Sequence, residues 1–290
     1  MKHVPALTEL VNRHIQPIPP IGAKVSESAF AYIVANYENL WHHYYGGGRP
    51  YTPQHYRVLV ALADQRPVAA TLVRWDDANR FGHLGFFISD PNAPDIAGKL
   101  VDESLNLLQK ERCETVGTDD RCPFGIGWFG VPETWTHVRS LLSDRSFEID
   151  DDWILMTGPT HVPDLDDIEK QPPEWILLWT GDEKRLEWRL ELYYQEEVAA
   201  ECHMWGVPPH LRECPGFEGW VTVEWVGVIP EARRQGFARW LLSRQFRHQA
   251  SANRNHVMLW TGLGNTNARN LYHDLGFIDG PQTFIYRRSL

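Results

Sequence analysis

The 290-residue sequence predicts an α/β (α+β) chain in which one order of strands and helices is used twice. Three observations carry this. A Val- and Trp-rich run, "GWVTVEWVGVI" (219–229), ends at Pro230 and is followed, past a glycine turn, by helically spaced apolar residues. The same order of strand, turn and helix occurs in the N-terminal half. Between the halves, "TGPTHVPDLDDIEKQPPEW" (157–175) is an acidic, proline-containing break that resembles a linker. The expected domains are therefore 1–157 and 158–290.

Taken in order, "WHHYYGGGRPY" (41–51) reads as a helix end followed by a glycine turn, a segment able to border a cleft. Next, "RVLVALADQRPVAATLVRW" (57–75) reads as two strands around a turn, and "GHLGFFISDPNAPDIAGKLVDESLNLLQ" (82–109) as strand, turn and helix. "HVRSLLSDRSF" (137–147) is a short helical segment. In the C-terminal half, Pro230 ends the 219–229 strand because it cannot donate to a ladder. Ala238, Leu241, Leu242, Gln245 and Phe246 then share one helix face. "HVMLWTGL" (256–263) is the next strand, and "GNTNARNLYHDLGF" (264–277) the next helix.

Charge narrows the function. The chain has a formal net charge of −10, yet six arginines stand against one acid between Glu231 and Arg254. A cationic island on an anionic chain fits a small anion, whereas a nucleic-acid binder is usually basic overall. A solvated arginine face is the other reading. The position favours the anion: Arg233, Arg234 and Gly236 fall in the strand-to-helix turn, where the first helical N–H groups lack partners and the helix dipole is positive. This turn is not the G-x-x-x-x-G-K-[ST] nucleotide loop, nor does it contain G-x-G-x-x-G, so NTPase and dinucleotide readings lose their main support.

Four scattered cysteines and an N-terminus without an apolar signal core point to a reducing, cytoplasmic setting. No run approaches the roughly 18 apolar residues of a spanning helix, so no membrane is expected. "CHMWGVPPHLREC" brings Cys202, His203, His210 and Cys214 close in sequence, but adjacent Cys and His aim at opposite faces of a strand and no C-x-x-C knuckle exists. No metal is expected.

Arg233-x-x-Gly236-x-Ala238, after a strand ending "VGVIP", resembles the [R/Q]-x-x-G-x-[G/A] pyrophosphate loop of the GNAT superfamily of N-acetyltransferases. Asn265, Ala268, Leu271, Tyr272, Leu275, Gly276 and Phe277 are similar to the family's second segment, in the expected order. The resemblance is specific from about 219 to 277. It implies tandem GNAT-like folds, each a mixed, mostly antiparallel twisted sheet flanked by helices, with the fourth and fifth strands splayed apart. It also implies acetyl-CoA as co-substrate. Val226, Gly227 and Val228 would pair with the pantetheine arm, Arg233, Arg234, Gln235, Gly236, Phe237, Ala238 and Arg239 would hold the pyrophosphate, and Asn265 would bond the arm.

Acetyl transfer to an ammonium needs a base and an acid. Tyr272 matches the family's acid. For the base, period-2 alternation puts Glu224 beside Val226 and Val228, with a water relay as the alternative; a fifth-strand acid is absent, its position falling on Trp260. Overlaying the halves puts Asp95 under Gly236 and Leu142 under Tyr272, so the N-terminal half is expected to be a pseudo-domain. The aromatic and acidic content suits a cationic acceptor, whether a small-molecule amine or a peptide or protein amine, and a homodimer is left open. A non-catalytic acyl-CoA-binding or sensing protein is the alternative function.

Overall fold

The structure is a computed structural model in which the described residues are 3–40, 55–76, 78–118, 122, 124, 129–162 and 175–290. The expected glycine turn at 41–51 and residues 163–174 of the expected linker lie outside them. The chain forms two compact units. One comprises Met1–Ile154, Glu213–Gly216 and Pro281–Leu290, the other Leu155–Arg212 and Phe217–Gly280.

The first unit begins with α1 (Val4–Ile15), α2 (Glu27–Ala35) and the short α3 (Tyr37–Leu40). Leu7, Leu10, Val11 and Ile15 make one buried face of α1, and the Ser26 side chain caps α2 by accepting from the Ala29 N–H at 3.1 Å. Then come β1 (His55–Ala63), β2 (Arg66–Asp76), β3 (Phe81–Ser89), α4 (Pro94–Lys110), β4 (Thr115–Gly117), β5 (Val131–Pro132), α5 (Thr136–Ser143) and β6 (Glu148–Pro159). The β1–β2 turn consists of Asp64 and Gln65, both with positive φ, which matches the right-handed twist of the paired strands. Residues 157–159, expected to open the linker, instead finish β6.

The second unit contains β7 (Trp175–Asp182), β8 (Glu187–Tyr194), β9 (Glu197–Gly206), β10 (Trp220–Val228), α6 (Phe237–Ser251), β11 (His256–Gly262) and α7 (Thr266–Asp274). The last strand, β12 (Ile278–Ser289), carries the chain back to the first unit, where Arg287–Ser289 pair with β4 and Thr283 and Phe284 with β5. Helix α6 packs on β8, β9 and β10, and Trp188, Leu190, Cys202, Met204, Leu241, Leu242 and Phe246 are fully or almost fully buried. Among the described residues no helix is long and apolar enough to cross a membrane, and all four cysteines are buried and none forms a disulfide.

Each unit has the expected mixed, mostly antiparallel sheet. In the second, β7, β8, β9 and β10 run antiparallel, and β11 joins β10 in parallel only through Trp220–Thr222 and His256–Met258. The first repeats the arrangement: β1, β2 and β3 are antiparallel, and β4 joins β3 in parallel through Phe81–His83 and Thr115–Gly117. In the second unit the parallel pair then parts, whereas all three residues of β4 are paired.

The return of β12 has a testable consequence. Deleting residues 1–157 removes β4 and β5, so β12 loses its ladder partners and the buried Ile285 and Tyr286 lose their cover. Exposure at about 1.5–3 kcal/mol per large apolar side chain should make the 158–290 fragment aggregate. Light scattering checks this, and a monomeric, cooperatively melting fragment contradicts it.

Candidate active site

The connection from β10 to α6 forms a cradle. After a short 3-10 turn at Pro230–Ala232, Arg233 is extended and Arg234 has φ +61°, a left-handed conformation that a branched or long side chain adopts at a cost. Gly236 has φ +86° and is the N-cap of α6, with no side-chain capping bond. Among the described residues no side-chain acceptor is found for the first N–H groups of α6. A Cβ built on Gly236 would meet nothing within 4 Å among the described residues, so glycine serves the backbone angle while the space before it stays open. Arg233 ties the loop to the strand end, its Nε donating to the Val228 carbonyl at 3.0 Å. Gln235 turns inward on the loop, its Nε2 donating to the Glu231 carbonyl at 3.2 Å, and Arg239 pairs with Asp274.

Beside the cradle, the parting of β10 from β11 exposes a strand edge. The Ile229 N–H donates to the Ala199 carbonyl at 2.9 Å, and residues alternate along a strand. Val226 and Val228 therefore aim their backbone groups away from β9, into the gap. The gap and the cradle form one cleft of about 880 Å³. All the expected ligand-holding residues line it except Gln235: Val226, Gly227 and Val228 from β10, Arg233, Arg234, Gly236, Phe237, Ala238 and Arg239 from the loop and α6, and Asn265 and Tyr272 at α7.

Tyr272 is 8% exposed, and burial, reinforced by the neighbouring Cys202 thiol, pushes its phenol well above its usual range. It keeps its proton throughout the neutral range. Asn265 has a structural task in the free protein: its Oδ1 accepts from the Ala268 N–H at 3.3 Å, capping α7, and its Nδ2 donates to Thr261 Oγ1 at 3.3 Å. The motif asparagine thus fixes the start of the helix that delivers Tyr272.

Glu224 is placed differently from the alternation argument. In the β9–β10 register Val223 faces Met204 and Trp225 faces His203, so Glu224 is the extra residue of a bulge. The period-2 pattern is broken there, and Glu224 is not among the residues lining the cleft. Trp225 and, from β9, Glu201 are. Sequence reasoning passed over Glu201 because it belongs to no spaced motif; only its alternation with Ala200 and Cys202 in "EVAAECHMWG" marks it as facing away from the core.

The corresponding edge in the first unit is closed by its own side chains. The β3–α4 connection has residues 90–93, four residues against the eight of 229–236. Counted from the helix start, Asp95 is the second residue of α4 with Ala93 as cap, so Asp95 does not stand at the glycine's position; the cradle is simply too short. The Ser89 N–H donates to His14 Nε2 at 3.3 Å, and the Ser89 carbonyl accepts from His137 Nε2 at 3.1 Å. His14 donates from Nδ1 to the Leu10 carbonyl at 2.9 Å, and burial pulls its pKa down to about 4, so it is neutral near pH 7. Leu142, fully buried, holds in α5 the seventh position that Tyr272 holds in α7. The pocket left there is about 200 Å³. One CoA-type ligand per chain is the expected stoichiometry in calorimetry; saturation at two contradicts this reading.

Comparison with known proteins agrees with this geometry. Residues 155–277 match the acetyltransferase (GNAT) family. Among solved structures, a tandem GNAT protein from the clavulanic acid biosynthesis pathway superposes with a TM-score of 0.70 at 12% identity, covering 99% of this chain and 95% of the other. A GCN5-related N-acetyltransferase from Sphaerobacter thermophilus superposes with a TM-score of 0.66 at 13% identity, covering 99% and 93%. At these identities the likeness is one of fold. Comparison with curated protein sequences finds no match.

Proposed function

Since residues 155–277 match the acetyltransferase (GNAT) family and the chain has the fold of a tandem GNAT protein, we propose that it is an N-acetyltransferase that moves an acetyl group from acetyl-CoA to a primary amine in a ternary complex. The observation that carries this is the meeting, in one cleft, of an uncapped helix start, a splayed strand edge and a buried phenol. The fit to acetyl-CoA rests on Gly236, before which there is open space for a phosphate to approach the backbone.

Acetyl-CoA supplies the thioester carbonyl that an amine attacks. The N–H groups at the start of α6, with Arg233 and Arg234, hold the pyrophosphate's charge. The backbone of Val226 and Val228 pairs with the pantetheine arm as an added strand would. Tyr272 holds a proton at its phenol oxygen for the departing sulfur, and burial keeps that proton in place until it is needed. The acceptor, a small-molecule or peptide amine, approaches along the wall that carries Glu201 and Trp225.

The test is to incubate purified protein with acetyl-CoA and a panel of small alkyl amines, amino acids, aminoglycosides and peptide N-termini while following free thiol. Amine-dependent thiol release is expected. Binding of acetyl-CoA without release by any amine class would favour a binding or sensing role over catalysis.

A further inference from the structure

Resting on the acetyltransferase reading, we propose that Glu201 holds the acceptor's ammonium in the cleft and takes its proton, so that the enzyme selects cationic alkyl amines over neutral aryl amines. Glu201 is the only carboxylate among the described residues lining the cleft. Alternation along β9 places Glu201 and His203 on the face opposite Ala200 and Cys202. The register then sets Gly227 of β10 and Glu191 of β8 on either side of Glu201, and Trp225 and Arg189 on either side of His203. Gly227 matters here: a Cβ there would stand 2.8 Å from Trp225 Nε1 and 3.5 Å from Glu201 Cγ. Its absence lets the indole lie across the strand to reach the carboxylate.

The carboxylate is held from three sides. Trp225 Nε1 donates to Oε1 at 2.9 Å, while His203 Nε2 and Arg189 Nη2 donate to Oε2 at 3.0 and 3.1 Å. Trp225 is the one donor to Oε1 among the described residues, and that oxygen retains capacity for a further proton-bearing group. Arg189 is shared with the buried Glu191 at 2.5 Å, and Glu191 also accepts from the Tyr193 hydroxyl at 3.2 Å. Burial, with Arg189 beside it, lowers the His203 pKa from its ordinary value, so the imidazole is neutral near pH 7. Two carboxylates thus share one guanidinium, and the surplus negative charge attracts an ammonium. Arg189, His203 and Trp225 are positioning residues that fix the carboxylate's direction.

In the step itself, the ammonium gives one proton to Glu201, which passes it to solvent. The freed nitrogen forms a bond to the acetyl carbonyl carbon, and the carbon–sulfur bond breaks. Sulfur takes the Tyr272 proton, nitrogen loses its second proton, and Tyr272 is reprotonated through water. The balance is ammonium plus thioester to amide, thiol and one proton.

Glu201→Gln in the full chain tests this, because the amide keeps the side chain's size and can still accept from Trp225. The kcat/KM for a primary alkyl amine is expected to fall roughly 10–100-fold, the size of a lost charge-assisted bond, while aniline, neutral at pH 7, changes by less than about threefold. A second readout needs no turnover: alkyl amine titrated into CoA-saturated protein should bind more weakly by a comparable factor. Thermal melting and CoA affinity verify that the variant is folded. If it does not fold, Trp225→Phe, which removes the donor to Oε1, should shift selectivity in the same direction. Equal losses for alkyl and aryl amines, or unchanged amine affinity in the CoA complex, overturn the proposal. Those results leave the acetyltransferase reading standing, whereas a wild type that acetylates no amine overturns that reading.

Discussion

Gly236→Glu should weaken acetyl-CoA binding by about 10²-fold or more while the protein still folds. Two effects act at this position and can be separated. The first is backbone strain: Gly236 has φ +86°, where an L side chain costs roughly 1–2 kcal/mol. The second is charge: the added carboxylate would project into the open space before the uncapped N-terminus of α6, where phosphates must lie. No described protein atom within 4 Å clashes with the new Cβ, so the fold absorbs only the strain. Gly236→Ala carries the strain without the charge and should lose stability similarly but far less affinity. The charge part then amounts to about 3 kcal/mol, the scale of breaking charge-assisted hydrogen bonds to the phosphates and setting a like charge beside them. Calorimetric titration of both variants measures the difference. Equal affinity in wild type and Gly236→Glu would show that the phosphates lie elsewhere.

The cradle was legible because every part of it is local. Pro230 stops a strand, Gly236 supplies a positive φ, and Ala238, Leu241 and Leu242 set the helix, all within 13 residues of one another. The splayed strands were legible only through family resemblance, since pairing that stops at Thr222 and Met258 leaves no trace in either strand's composition. Alternation misplaced Glu224 because a bulge adds one residue, and one residue reverses the faces of a strand. Glu201 escaped notice for a related reason. Its importance arises from neighbours on other strands, Arg189, Trp225 and Gly227, that no spacing rule brings together. The first unit shows the same limit. In the sequence Asp95 predicts a degenerate half, whereas in the structure the connection is four residues shorter and the strand end is bonded by two histidines, His14 and His137, that lie 123 residues apart in the chain. The return of β12 to the first unit was likewise invisible, since β-rich residues at 278–289 suit any sheet edge.

Tyr272→Phe should lower turnover by roughly 10²–10³-fold and change acetyl-CoA affinity little. The ring remains: Phe at 272 keeps the tilted contact with Phe277, now 5.7 Å between centroids, and the packing beneath α7. Only the hydroxyl is lost, and with it the proton offered to the departing thiolate. Burial holds that proton far more firmly than in a free phenol, so no downturn in the wild-type rate below about pH 10 should come from Tyr272 ionising. The same shift has a stability consequence with a definite sign. Above about pH 10 the unfolded chain's phenol ionises while the folded one stays protonated, so stability falls as pH rises there, and the Phe variant should show less of that fall. An acyl donor whose leaving group needs no proton, such as a nitrophenyl thioester of low thiol pKa, should shrink the kinetic difference between Tyr and Phe. Stopped-flow thiol release with both donors separates proton donation from packing, because a packing defect would slow both alike. Normal turnover in the variant would assign the proton to water and leave Tyr272 as a wall of the cleft.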